Sequence, residues 1–246
     1  MSVKLLKEFT GYSGSTVQLI DRGNGPEVYK SNYPSSRAYS ELVKQLPFRS
    51  PCLYEVGDDY VYMEYLPGLE MSEYIAYADK LALDNLCNFI ISYVDWALSV
   101  STEYNFFNEV QTKLEQLNQY TDTDLFGQFD RCLPKGTVHG DLTLNNIIFY
   151  NNNFYLIDMH PTSLNSIVFD LNKLMQDLDS LWFVRNSTDL VNYNISCSYI
   201  SRILRSRFPN LFDNKIQAFM LSRILPYSKI DDDKKFLLRE IDKLCK

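Results

Sequence analysis

The stretch TVHGDLTLNNIIFYNNNFYLID, Thr137 to Asp158, sets a histidine, two aspartates and Asn146 around two apolar runs. Ile147 to Tyr150 is a short strand-like run, Asn151 to Asn153 supply turn residues, and Phe154 to Ile157 make a second run, so the segment predicts a β-hairpin. A hairpin brings its outer ends together, which places Asn146, just before the first strand, near Asp158, at the end of the second. An amide oxygen and a carboxylate converging in this way suit magnesium, which takes oxygen ligands from one or two side chains plus substrate phosphates.

Asp141 lies five residues before Asn146. The spacing from His139-Gly140-Asp141 to Asn146, followed by Asp158, matches the kinase catalytic-loop pattern with glycine in place of arginine. In this HGD form the segment resembles the aminoglycoside phosphotransferase and choline kinase group of small-molecule kinases more closely than it resembles protein kinases. The resemblance covers roughly residues 8 to 182 and is most specific from 137 to 175. It implies an α+β, two-lobed protein kinase-like fold: an N-terminal antiparallel sheet with one helix over residues 1–66, and a mostly helical C-terminal lobe with the hairpin over residues 67–246.

Composition bounds this reading. The 246 residues are 46% hydrophobic, enough for a sizeable core. A net charge of −7 argues against a nucleic-acid partner, whose phosphates are met by clustered Lys and Arg. It favours a cationic small molecule only weakly. Five cysteines, at 52, 87, 132, 197 and 245, are odd in number and widely spaced. Reduced thiols in a cytoplasmic setting are expected, and zinc is not. The N-terminus lacks the apolar core of a signal peptide, and no membrane span is expected.

Upstream, Val3 to Phe9, Thr16 to Asp21 and Glu27 to Lys30 read as an antiparallel meander. Gly11 and Gly14 flank the first turn, where backbone amides and the hydroxyls of Ser13 and Ser15 could meet phosphate oxygens, although an ordinary Gly/Ser turn explains the composition as well. Lys30 ends the third strand, where kinases hold the α and β phosphates with a lysine, or it is a solvated strand-end residue. Glu41 sits on a helix read from Arg37 to Leu46, and the resemblance makes it the partner that would orient Lys30. Leu53 to Val56 and Tyr60 to Tyr65 complete a five-stranded sheet. The run YVYMEYLPGLEM then resembles the family's hinge, with Glu64, Tyr65 and Leu66 on the adenine side, or it is an edge strand closed by Pro67-Gly68.

Helical periodicity marks 79–102, 108–119, 190–205, 214–225 and 232–244. A further helix opens near Phe169-Asp170-Leu171, with Asp170 placed to cap it. In the family a similar buried Asp steadies the catalytic loop, so Asp170 and His139 are expected to brace rather than react. Asp177, Asp179, Trp182 and Arg185 are candidates to line the acceptor pocket.

The resemblance implies transfer of the γ-phosphoryl group of ATP or GTP to a hydroxyl of a small molecule such as a sugar, an aminoglycoside or an amino alcohol. Asp141 would act on that hydroxyl, Asn146 and Asp158 would hold magnesium, and Lys30 would neutralise the nucleotide phosphates. Two other readings stand beside it: a kinase-like nucleotide-binding regulatory protein with little catalysis, and an adenylyl transferase on the same fold.

Overall fold

The computed structural model describes residues 3–9, 14–127, 129 and 131–246. Strands β1 (Lys4–Phe9), β2 (Thr16–Asp21) and β3 (Pro26–Ser31), helix α1 (Ser36–Gln45), and strands β4 (Leu53–Val56) and β5 (Val61–Glu64) open the chain. The strands form one antiparallel sheet in the order β1-β2-β3-β5-β4. Asp21 closes the β2–β3 turn by accepting the N–H groups of Gly23 and Gly25 at 2.6 and 3.2 Å. This is the Asx-type turn that a short acidic side chain forms with backbone a few residues on.

Strand β6 (Leu69–Glu70) and helices α2 (Met71–Tyr77) and α3 (Lys80–Ser99) follow. Asp79 caps α3 by accepting the Ala82 N–H at 2.8 Å. Strands β7 (Thr102–Asn105) and β8 (Cys132–Lys135) flank helix α4 (Phe107–Leu117) and pair as a two-stranded ribbon. Then come the hairpin strands β9 (Ile147–Tyr150) and β10 (Asn153–Leu156), and helices α5 (Ile167–Leu178), α6 (Val191–Arg207), α7 (Asn214–Ser222) and α8 (Asp231–Cys245).

The predicted hairpin is present, with a tighter turn than the three asparagines suggested. Asn153 pairs with Tyr150, which leaves Asn151 and Asn152 as a two-residue connection. Both have positive φ, 48° and 56°. That is the twist a two-residue hairpin turn demands, and asparagine tolerates it. The third strand of this small sheet, β6, is absent from the sequence reading. It pairs Leu69 with Phe149 and Glu70 with Ile148. The chain therefore leaves β5 at Glu64 and docks on the β9–β10 hairpin five residues later, which makes residues 65–68 the link between the two sheets.

Helix α5 is the centre of the C-terminal half. Every residue in it except Lys173 is buried, as expected for a helix enclosed on all sides. Leu171, Leu174, Met175 and Leu178 join a core that includes Leu86, Ile90 and Tyr93 of α3. Val168 and Phe169 join a second core with Val110 of α4, Phe219 of α7 and Leu237 of α8. The N-cap of α5 is Ser166, whose hydroxyl accepts the Val168 N–H at 3.3 Å. Asp170 lies one turn further in, so the expectation that it caps the helix is corrected.

The N-terminal sheet is seated on this body by Phe48, whose ring packs edge-on against Phe89, Tyr93 and Trp96 of α3 at 5.9, 5.5 and 5.8 Å between centroids. Edge-to-face pairs of this kind contribute about 0.5–1.5 kcal/mol each beyond area burial. One residue on, the Arg49 carbonyl accepts the Leu156 N–H of β10 at 2.8 Å. The connection between α1 and β4 is thereby tied to the hairpin that carries Asp158.

Gly68 makes the β6–β9 pairing possible. A Cβ there would fall 2.5 Å from the Phe149 carbonyl oxygen and 2.6 Å from Ile148 Cγ2. Gly68→Ala is expected to cost roughly 1–3 kcal/mol, the range for forcing extra volume into packed structure. Urea denaturation checks this, with a lower midpoint at an unchanged slope.

Candidate active site

The HGD turn is folded by contacts that leave no room for a side chain at its centre. Gly140 has φ of 80°, and a Cβ on it would lie 1.9 Å from the His160 carbonyl oxygen. The His160 N–H donates to the His139 carbonyl at 2.7 Å, which joins the turn to the segment just past Asp158. The fully buried His139 ring completes the join. Its Nδ1 accepts the Asp141 N–H at 3.2 Å, so the ring proton sits on Nε2 and donates to the Ile157 carbonyl at 2.8 Å. His139 thus ties the HGD turn to the residue before Asp158.

One stripe of α5 holds the rest of the loop. Asp170, Lys173 and Asp177 are three and seven residues apart, which puts them on one helix face. The Asp170 carboxylate accepts the Tyr93 hydroxyl at 2.6 Å, the His139 N–H at 2.9 Å and the Gly140 N–H at 3.0 Å. Burial pushes its pKa above the ordinary carboxylate value, while His139 and the Tyr93 hydrogen bond pull the other way. Asp177 accepts the Leu144 N–H at 2.8 Å through one oxygen, and its other oxygen is buried with no partner. Burial raises the Asp177 pKa to about 7.

Lys173, between them, forms an ion pair with Asp141. Burial acts to raise the Asp141 pKa, but the attraction of Lys173, with a smaller one from Arg223, leaves it below the ordinary value. Asp141 therefore stays an anion and keeps 34% of its side chain exposed. The sequence reading missed Lys173, although its spacing from Asp170 and Asp177 was there to be read.

Asn146 spends its amide nitrogen on Asp141, donating to the backbone carbonyl at 2.8 Å and to Oδ2 at 3.2 Å. Its Oδ1 has no hydrogen bond among the described residues. The Ile157 N–H donates to the Asn146 carbonyl at 3.0 Å, so the hairpin ends converge as expected. Asp158 follows with φ of 54°, a left-handed conformation held at the mouth of the hairpin.

Lys30, buried in β3, forms an ion pair with this half-exposed Asp158 and lies 4.1 Å from the centre of the Tyr33 ring. The structure thus brings Lys30, His139, Asp141, Asn146, Asp158 and Asp170 into one cluster. It does not bring Glu41 there. Glu41 sits on the solvent face of α1, 2.7 Å from Lys44, because Tyr39 and Ser40 take the buried positions of that helix.

The remaining expected residues are placed as follows. Glu64 ends β5 and is tied to Cys52 by its backbone N–H at 2.8 Å and its carboxylate at 3.1 Å. Tyr65 is half-buried and Leu66 buried in the link between the sheets. Gly14 has φ of 77° with open space on its Cβ side, and the Ser15 hydroxyl lies 3.4 Å from the Asn32 carbonyl. Gly11 and Ser13 lie outside the described residues.

The suggested pocket residues are committed elsewhere. Asp179 pairs with Arg205, Arg185 pairs with Asp233 and covers the Trp182 ring, and Asp177 holds the loop. A separate groove of about 450 Å³, lined in part by Tyr77, Leu83, Ile195 and Tyr199, shares no residue with the cluster.

No protein-family model and no curated protein sequence matches the chain. Solved structures do match, and they show the fold: it is one that small-molecule kinases also adopt. A thermostable mutant of the aminoglycoside phosphotransferase APH(4)-Ia, in a ternary complex with ADP and hygromycin B, aligns with a TM-score of 0.64 at 12% identity over 99% of this chain and 94% of that one. A glucosamine kinase in complex with glucosamine, ADP and inorganic phosphate aligns with a TM-score of 0.59 at 12% identity over 98% of this chain and 79% of that one. The ADP-bound aminoglycoside phosphotransferase APH(2'')-Ib gives 0.52 at 16% over 100% and 92%. At these identities the likeness shows the fold. No helix among the described residues is long and apolar enough to cross a membrane.

Asp177 gives the site a pH signature. Its pKa is raised from 3.8 to about 7. The unfolded chain therefore releases this proton first, and the residue's contribution to stability is full below pH 4 and lost as pH rises through 7. Asp177→Asn retains an acceptor for the Leu144 N–H and cannot ionise. Its stability relative to wild type is expected to improve steadily from pH 4 to 7 and then level off, as read by denaturation across that range.

Proposed function

We propose that the protein is an ATP-dependent phosphotransferase that moves the γ-phosphoryl group to a hydroxyl of a small molecule. The observation that carries this reading is the convergence of two acids of different character at the ends of one loop and hairpin. Asp141 is an anion backed by Lys173, and Asp158 faces Lys30 across the junction of the two sheets. Phosphoryl transfer asks for positioning and charge neutralisation more than for covalent chemistry, and these groups supply both. A donor lobe over residues 1–66 and an acceptor lobe over 67–246 follow from the same reading.

In this mechanism Asp141 orients the acceptor hydroxyl and takes its proton as that oxygen bonds to the γ-phosphorus and the bond from the γ-phosphorus to the β–γ bridging oxygen breaks, releasing ADP. Lys30 exchanges Asp158 for the phosphate oxygens. The open backbone at Gly14 and Ser15 would meet the same phosphates, and Glu64, Tyr65 and Leu66 would line the adenine or guanine edge.

Magnesium fits the donor set: the free Oδ1 of Asn146 and the Asp158 carboxylate are hard oxygen ligands, and two such groups suffice when phosphates complete the shell. Bound there, it would neutralise charge on the phosphates. The neighbours complexed with ADP support a nucleotide donor. Five free cysteines fit a cytoplasmic setting.

One observation favours the regulatory reading. Lys30 lacks the helix glutamate that the kinase pattern leads one to expect, because Glu41 points to solvent. A nucleotide-binding protein with little turnover would tolerate that loss. An adenylyl transferase would show itself by its products.

Incubation with ATP, magnesium and a panel of hydroxyl compounds separates the three. ADP and an acceptor heavier by one phosphoryl group are expected. Pyrophosphate release would establish adenylyl transfer, and binding without turnover the regulatory role. Asp141→Asn is expected to lose nearly all transfer while its magnesium-dependent thermal shift with ATP persists, and Asp158→Ala is expected to lose that shift. Loss of nucleotide binding in Asp141→Asn would contradict the role given to this carboxylate.

A further inference from the structure

The buried ammonium of Lys30 has two partners among the described residues, the Asp158 carboxylate and the face of the Tyr33 ring. The second is built into the fold. Lys30 and Tyr33 are three residues apart, and along a continuous strand they would point to opposite faces. Strand β3 stops at Ser31, and Asn32 follows with φ of 53°, a left-handed conformation that asparagine tolerates. The chain turns there, and the Tyr33 ring comes to lie with its centre 4.1 Å from Lys30 Nζ.

Tyr33 is fixed from several sides. Its N–H donates to the Asp59 carbonyl at 2.8 Å, and its carbonyl accepts the Ser36 N–H at 3.0 Å, at the start of α1. Tyr39, buried on the inner face of α1, packs edge-on against the Tyr33 ring at 5.9 Å between centroids. The Tyr33 hydroxyl lies 3.5 Å from the carbonyl of Met159, the residue after Asp158. Tyr33 is itself buried, so the ring is a preformed wall between the N-terminal sheet and the segment that carries Asp158.

In the proposed reaction the Asp158 carboxylate goes to magnesium, which takes from Lys30 its one carboxylate partner among the described residues. Glu41 does not replace it, because it lies on the solvent face of α1. An ammonium removed from water and left without a partner is costly. Resting on the phosphotransferase reading, we propose that Tyr33 is the positioning residue for Lys30: its ring holds the ammonium in place when Asp158 turns to the metal, the task that the kinase pattern gives to a helix glutamate. An aromatic face attracts a cation through its quadrupole and does not cancel the charge. The N–H groups on the far side of the nitrogen therefore remain for the phosphate oxygens.

Calorimetric titration with ATP and magnesium tests this on the wild type and three variants. Tyr33→Phe keeps the ring face and is expected to bind within about twofold of wild type, whereas Tyr33→Leu removes the face and should bind about tenfold more weakly, the scale of a desolvated cation–π contact. Tyr33→pentafluorophenylalanine keeps an aromatic ring whose face is no longer negative, and its affinity should fall as in Tyr33→Leu. This variant separates attraction from the filling of space, and it carries the test should the leucine variant not fold. In the free protein the ε-methylene protons of Lys30, identified by their loss in Lys30→Arg, should resonate upfield under the ring current and move downfield in Tyr33→Leu.

ATP affinity unchanged in Tyr33→Leu or in the fluorinated variant would overturn the proposal. A loss in Tyr33→Phe as large as in Tyr33→Leu would assign the effect to the hydroxyl and overturn it too, as would the absence of the upfield shift. A wild type that binds no ATP while the Tyr33-dependent shift is present would sink the phosphotransferase reading and leave the Tyr33–Lys30 contact standing.

Discussion

The buried carboxylate of Asp170 is the contact on which the site depends. It gathers a hydroxyl from α3 and two backbone N–H groups from the HGD turn, and so joins three separate parts of the chain at a buried point. Each of those donors would be costly to leave unpaired in the interior. The turn therefore has one low-energy shape, and that shape aims Asp141 outward. Phe48 packs on the same Tyr93 ring whose hydroxyl reaches Asp170, so the seating of the N-terminal sheet and the shape of the HGD turn share a side chain.

Around this anchor the charges come in matched pairs. Lys173 faces Asp141 and Lys30 faces Asp158, and in each pair the lysine is the more buried partner. Lysines held in the wall and carboxylates at the surface make two preformed ion pairs, so that in the proposed reaction the cations would not have to be recruited for the phosphates.

The catalytic hairpin was legible because alternation, turn residues and the two acids all lay within one short segment. The five-stranded sheet and the long helices were legible from periodicity. Strand β6 was not, because Leu69-Glu70 is too short to carry a pattern and exists only through its pairing with β9. The β7–β8 ribbon joins residues some thirty positions apart through α4, a contact no local pattern announces. Glu41 was misplaced for a related reason. A helix spacing tells which residues share a face but not which face turns inward, and Tyr39 and Ser40 decided that here. Asp170 was assigned both a cap and a brace, and Ser166 took the cap. Lys173 passed as one more helix lysine until the loop it touches was in place.

The most direct test of this arrangement is an experimental structure of the protein with magnesium and a non-hydrolysable ATP analogue. The metal should sit on Asn146 Oδ1 and the Asp158 carboxylate, with Lys30 moved from Asp158 to the phosphates and Asp170 still holding the HGD turn. A nucleotide bound away from Lys30, or a metal bound by other residues, would contradict the site described.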